Sequence, residues 1–260
     1  FRSQIIALQN LSSKKSIPTL DLLATEEALW WGTKNDFTDL VGPINDGWHE
    51  FNIGGYYVLR DHQTISFIRC GIHKDRPSQA DNNHLDIWVK GNNILRDSGS
   101  YQYNASTDLI KYFSGTIGHN TVMLDSYDQM LKGQRFIWYY WSQAEEVRCW
   151  SDNEFYHFQG QISAFRYLNR SIKHIRKISK KINSGEWYIT DEILNANGSS
   201  RMCQIWHPNS SDVIIKCNQD DIEANYFDGF YSELYGVKQN TTSIKFSTHN
   251  RIIKTTIKYN

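Results

Sequence analysis

The chain of 260 residues carries 28 Lys+Arg against 28 Asp+Glu, with 14% aromatic residues and only 4 Pro. This composition excludes a disordered or collagen-like chain, and the zero formal charge argues against nucleic acid as the main partner. No run of about 18 apolar residues occurs, so no membrane-spanning helix is expected.

The first residues, Phe1-Arg2-Ser3-Gln4, show no signal-peptide pattern. They read as the start of a piece cut from a longer chain. Leu20 to Trp31 is rich in helix formers, with Pro18 before it and Gly32 after it, and predicts a helix. Residues 1–50 are therefore read as a helical tail and 51–260 as a separate domain. Beyond Phe51 the texture becomes short alternating segments. Tyr56 to Arg60 and Thr64 to Cys70 suggest a hairpin, and His84 to Lys90 alternates before a turn at Gly91-Asn92-Asn93. Further strands are expected at Thr121–Leu124, Phe136–Trp141, Glu154–Gln159, Trp187–Ile193, Met202–Trp206, Val213–Lys216, Ser243–Ser247 and Ile252–Tyr259. Strands at this spacing point to an all-β antiparallel sandwich.

Two features resist a simple reading. Ile172, Ile175, Ile178 and Ile182 have helical spacing, yet the flanking strands favour one long strand over Arg170 to Ile182. Its cations, Arg170, Lys173, Arg176, Lys177, Lys180 and Lys181, read either as a solvated face or as a contact surface for an acidic polymer. The four cysteines, Cys70, Cys149, Cys203 and Cys217, lack zinc-finger spacing and read as buried thiols.

Polar residues concentrate between 73 and 129. The ordered pieces are Arg76-Pro77-Ser78-Gln79-Ala80-Asp81, His84-Leu85-Asp86-Ile87-Trp88, Asp97-Ser98-Gly99-Ser100-Tyr101-Gln102-Tyr103-Asn104, Gly118-His119-Asn120-Thr121-Val122 and Asp128-Gln129. With Gly54-Gly55-Tyr56-Tyr57, Arg69-Cys70-Gly71, Asp191-Glu192 and Trp206-His207, this series resembles the heparinase II/III-like family, especially members found with bacterial surface-polysaccharide genes. The resemblance covers roughly residues 20 to 210.

The resemblance implies a large antiparallel β-sandwich that follows an N-terminal helical toroid, here reduced to a tail. It implies a polysaccharide lyase acting on an acidic, uronate-containing polysaccharide, by β-elimination, in the bacterial cytoplasm or periplasm. Such chemistry needs the uronate carboxylate neutralised, a base for the C5 proton and an acid for the leaving O4. His84, Tyr103 and Tyr112 are the catalytic candidates, and Arg76 and Gln79 the substrate-binding ones. Asp81 and Asp86 are candidates for orienting His84 or His119.

The resemblance also implies zinc. Asp97 and His119 match two ligand positions of the family. Gln79 stands where a third ligand, His, is expected, and Pro77 stands where a carboxylate-facing His is expected. Either His84 or His73 supplies the missing imidazole, or Gln79, Asp97 and His119 form a metal-free buried cluster. A non-catalytic carbohydrate-binding or structural sandwich module is the competing reading.

Overall fold

The computed structural model describes residues 45–260, so the helix expected at Leu20–Trp31 lies outside the described residues. The compact unit begins at Asp46. Among the described residues no helix is long and apolar enough to cross a membrane.

Three antiparallel sheets carry the fold. The first runs β1 (Gly47–Phe51), β2 (Tyr56–Asp61), β3 (Thr64–Arg69), β4 (His84–Val89) and β5 (Asn92–Leu95), in sequence order. The second has the order β14 (Val213–Cys217), β17 (Ile252–Tyr259), β12 (Glu186–Leu194), β11 (Lys173–Lys181), β10 (Phe155–Ser163) and β9 (Gln143–Ser151). The third has the order β15 (Ala224–Tyr231), β16 (Gln239–Thr248), β13 (Met202–Trp206) and β6 (Val122–Leu124). A short ribbon, β7 (Leu131–Lys132) with β8 (Trp138–Tyr139), one α-helix, α1 (Thr107–Ser114), and a 3-10 turn at Thr116–Gly118 complete the described elements.

The sandwich forms because alternation along the strands sends apolar side chains to one face. In β12, Trp187, Ile189, Asp191 and Ile193 are buried while Glu186, Tyr188, Thr190 and Glu192 are only partly covered. The apolar residues of that buried face join Leu85 and Ile87 of the first sheet and Met202, Trp206 and Phe246 of the third in one core. The first and third sheets meet at a bridge between Leu95 and Pro208.

The segment with helical isoleucine spacing is strand β11, paired over its length with β10 and β12. Its six cations do not share a face. Lys177, Lys181 and Arg170 are exposed, but Arg176 and Lys180 are buried with His174 and Ile178. A strand's period of two, not the isoleucine spacing, decides which cations enter the core. Lys180 pairs with Asp61 of β2. Arg176 holds Asp191 through two parallel bonds of 2.7 Å and donates to the carbonyls of Asn83 (2.6 Å) and Asn120. The Asp191 carboxylate also accepts from His174 Nε2 (2.8 Å) and Gln204 Nε2 (2.7 Å). One guanidinium–carboxylate pair therefore ties β11 and β12 to the third sheet and to the segments bearing the sequence motifs.

Four elements depart from the sequence pattern. The strand expected at Phe136–Trp141 shrinks to β8, because Arg135 (φ 51°) and Tyr140 (φ 55°) turn the chain on either side. Strands β9 and β15 leave little trace in the sequence, since Gln143–Ser151 and Ala224–Tyr231 are mostly exposed and carry little alternation in hydrophobicity. Helix α1 is equally faint. It is short, and its start is marked by Ser106, whose hydroxyl accepts from the Leu109 N–H at 3.5 Å.

Arg176→Met should destabilise the protein by about 3–5 kcal/mol, because it leaves the Asp191 carboxylate buried and unpaired; urea unfolding followed by fluorescence measures this. Burial alone would raise the Asp191 carboxyl, but Arg176 and His174 hold it well below the usual carboxylate range. A depressed carboxyl adds stability above its unfolded value of roughly 3.9 that is lost as pH falls below it. The stability of the parent protein should therefore drop steeply in that acid range, and an Arg176→Met profile as steep there would count against the pair.

Candidate functional site

Strand β4 opens on His84, after Asn83 in a left-handed turn (φ 60°) that asparagine tolerates. The backbone N–H of Asn120 donates to His84 Nδ1 at 2.9 Å. A backbone amide can only donate, so Nδ1 must accept, and the neutral ring carries its proton on Nε2. That Nε2 is buried and meets no hydrogen-bond partner. Burial pushes the His84 imidazole down to about 3, against the opposing pull of Asp97.

Asn120 is itself held on every side. Its side-chain NH₂ donates to the carbonyls of Leu85 (2.9 Å) and Arg96 (3.0 Å), and its amide oxygen accepts from the His207 N–H at 2.7 Å. Arg176 donates to its carbonyl. His207 bonds Ser243 and the Ile117 carbonyl and so has a structural part.

Asp97 sits in the turn closed by Gly99. That glycine has φ 89°, and a Cβ there would lie 2.0 Å from the Ser232 carbonyl oxygen, so no other residue fits. Asp97 Oδ1 accepts from the Gly99 N–H at 2.6 Å. Asp86 accepts from the Asp97 N–H at 3.3 Å and from Asn93 at 3.1 Å, and thus supports the Asp97 turn rather than either imidazole. His119 is fully buried. Its Nδ1 lies 2.7 Å from the Gly115 carbonyl, and its Nε2 lies 3.0 Å from Asp97 Oδ2. The second contact is an ion pair without an aligned hydrogen bond. The rings of His119 and His84 meet edge to face at 5.6 Å. Burial alone would lower the His119 imidazole, but Asp97 raises it to about 9; burial would raise Asp97, but His119 brings it to about 2.

Beside this buried cluster lies an open cleft of about 610 Å³. Gln79, which lines it, donates its amide N–H groups to the carbonyls of Phe113 (3.2 Å) and Gly99 (3.5 Å). Arg76, Lys132 and Arg135 line the cleft with the rings of Tyr103, Phe113, Phe136 and Trp138, and among the described residues no Asp or Glu does. Arg76 donates to the Phe136 carbonyl at 2.9 Å and lies over that ring at 5.2 Å. Lys132 Nζ lies 5.0 Å from the Trp138 ring centre.

The structure thus divides the sequence candidates. Arg76, Gln79 and Tyr103 share the cleft, with Tyr103 68% exposed against Phe136 and Tyr235. His84, Asp97 and His119 form the buried cluster behind it. Tyr112 lies elsewhere: its hydroxyl donates to the Phe230 carbonyl (3.3 Å) and accepts from the Phe230 N–H (3.0 Å), while its ring packs on Phe113 and Phe230. Lys132, Arg135, Phe136 and Trp138 join the site through the tertiary structure alone. Trp138 is buried beside Ala80 and Met130, as a strand residue facing the interior would be, whereas the turn before β8 leaves Phe136 48% exposed at the cleft.

The zinc implied by the sequence needs three or four strong donors. His119 Nε2 and Asp97 Oδ2 supply two. Gln79 offers only an amide oxygen, a poor zinc ligand. His84 is excluded because its Nε2 carries the proton. Among the described residues no three His, Cys, Asp or Glu side chains converge on a metal position. The donor set does not fit zinc.

His84→Phe should cost about 1–3 kcal/mol in unfolding free energy, the cost of a buried donor at Asn120 left without its acceptor. Nitrogen-detected NMR of the parent protein should show His84 as the neutral Nε2–H tautomer throughout mild acid; a proton on Nδ1 would contradict the assignment.

The sequence profile of the Heparinase II/III-like, C-terminal family matches residues 44–254. No curated protein matches in sequence. Among solved structures, the heparinase III-BT4657 gene product aligns with a TM-score of 0.71 at 17% identity, over 99% of this chain and 40% of its own. The heparan sulfate lyase HepC from Pedobacter heparinus aligns with a TM-score of 0.73 at 14% identity, over 100% of this chain and 42% of its own. The chain therefore spans less than half the length of these similar proteins. The family match covers most of the sequence, and the chain belongs to the heparinase II/III-like family through its C-terminal domain.

Proposed function

We propose that this domain forms the acidic-polysaccharide face of a polysaccharide lyase that acts by β-elimination. The observation that carries the reading is the cleft: three cations and four aromatic rings, with no carboxylate among the described lining residues. Sugar rings stack on aromatic faces through their C–H bonds. A polymer bearing one carboxylate per repeat is drawn to Arg and Lys, and Arg matches a carboxylate with two parallel N–H bonds.

In this reading the uronate ring lies against the exposed ring of Phe136, and Arg76 and Arg135 face its carboxylate. Neutralising that carboxylate stabilises the charge that develops as the C5 proton leaves. The C4–O4 bond then breaks, a C4=C5 double bond forms, and the departing oxygen takes a proton. Tyr103 is the proton-transfer group of the cleft, by its exposure and position. His84 acts from behind, fixing the geometry of the Asn120 segment rather than touching sugar. The remaining catalytic groups are supplied by the helical N-terminal domain typical of the family, which also acts as the partner of this domain.

Pro77 and Gln79, which replace the two histidines expected of family lyases, favour the second reading of a module that binds the polymer without cleaving it. One experiment separates the two. The full-length protein is incubated with a panel of uronate polymers while the ultraviolet absorbance of an unsaturated product is followed and binding is titrated in parallel. Elimination predicts a rise in absorbance that Tyr103→Phe lowers by about 10²-fold or more with binding retained. Binding without any rise across the panel supports the module instead. Arg135→Gln should weaken binding in either case and flatten its salt dependence, since one charge contact is removed.

A further inference from the structure

We infer that the Asp97–His119 locus holds no zinc, so that this member of the family is metal-independent at the position where its sequence motifs would place the ion. The inference concerns the buried cluster and does not depend on what fills the cleft.

Four observations carry it. First, the locus offers two donors and no more: His119 Nδ1 is taken up by the Gly115 carbonyl at 2.7 Å, which leaves only Nε2 and the Asp97 carboxylate, 3.0 Å apart. Second, Gln79 fills the third motif position, with its amide nitrogen drawn to the Phe113 and Gly99 carbonyls. Those contacts join the loop after Asp97 to the end of α1, the connection that a shared metal ligand would otherwise make. Third, the neighbouring imidazole cannot stand in. The Asn120 amide takes the lone pair of His84 at Nδ1, which leaves a proton and no free lone pair at Nε2. Fourth, Asp97 is braced without a metal. Its Oδ1 accepts from the Gly99 N–H at 2.6 Å, and its backbone is anchored on Asp86 at 3.3 Å.

The turn that carries Asp97 and the turn that carries His119 are also joined directly, since the Ser98 N–H donates to the Gly118 carbonyl at 3.1 Å. A structural zinc site contributes folding free energy outright, and its removal unfolds or loosens what it holds. Here hydrogen bonds already make those connections.

The test is metal content and thermal stability of the full-length protein, dialysed against zinc with and without a chelator. The wild type should retain well under one equivalent of zinc and melt at the same temperature in both cases. Gln79→His supplies the missing third donor. That variant, checked for native folding by circular dichroism, should gain close to one equivalent of zinc and melt several degrees higher with zinc than without. One equivalent retained by the wild type, with a chelator lowering its melting temperature, overturns the inference. So does a folded Gln79→His variant that gains no zinc, because residue 79 would then not be what excludes the ion. Neither readout uses enzymatic activity, so a failure here is distinct from a failure of the lyase reading.

Discussion

The arrangement of this domain depends on the buried pair between Arg176 and Asp191. The guanidinium uses one edge to hold the carboxylate and another donor to hold the carbonyls of Asn83 and Asn120. The carboxylate takes its remaining bonds from His174 and Gln204. A buried charge pair adds little net stability over an apolar pair of the same volume. Its value here is direction: it fixes Asn83 and Asn120, the residues that flank His84 and His119, at a set distance from the six-stranded sheet. Gln204 extends the network to Trp206 and Thr255.

This rigid interior explains why the site has two unlike halves. The buried half is built from residues with committed hydrogen bonds, and the open half from side chains on short, turn-bounded segments. Charge is sorted accordingly. The interior pairs its cations with carboxylates, as in Arg176–Asp191, Lys180–Asp61 and His119–Asp97. The cleft leaves Arg76, Lys132 and Arg135 without one among its described lining residues. A chain of zero formal charge can therefore still present a cationic groove, because most of the compensation takes place elsewhere.

Belonging to the heparinase II/III-like family sets the architecture but does not by itself set the chemistry of each position. Several motif residues have scaffold duties that would constrain them whatever the reaction. Asp128 accepts from the Thr116 N–H at 2.7 Å, and Gln129 donates to the Asn82 carbonyl at 2.7 Å. Thr121 donates to the same carbonyl at 3.0 Å. Positions 77 and 79 differ from the expected histidines, and Gln79 lies where the scaffold meets the cleft.

The sequence by itself determined the class of fold. Period-two alternation in segments such as Trp187–Ile193 requires a two-faced sheet, and the turn residues between segments favour antiparallel connections. It also located the stretch from 73 to 129, since polar side chains crowded between apolar strand residues mark the loops and strand ends where sites form. It did not reveal which cations are buried, because Arg176 and Lys177 are alike as letters and differ only in which way one strand faces. It did not reveal that Tyr112 serves packing while Tyr103 is open, because that depends on where β15 passes over α1. Only the tertiary structure brought Arg135 and Trp138 into one cleft with Gln79. The physical reason is that pleat and turn chemistry are local, whereas the pairing of a buried charge and the lining of a cleft are set by residues distant in the chain, whose approach no local pattern encodes.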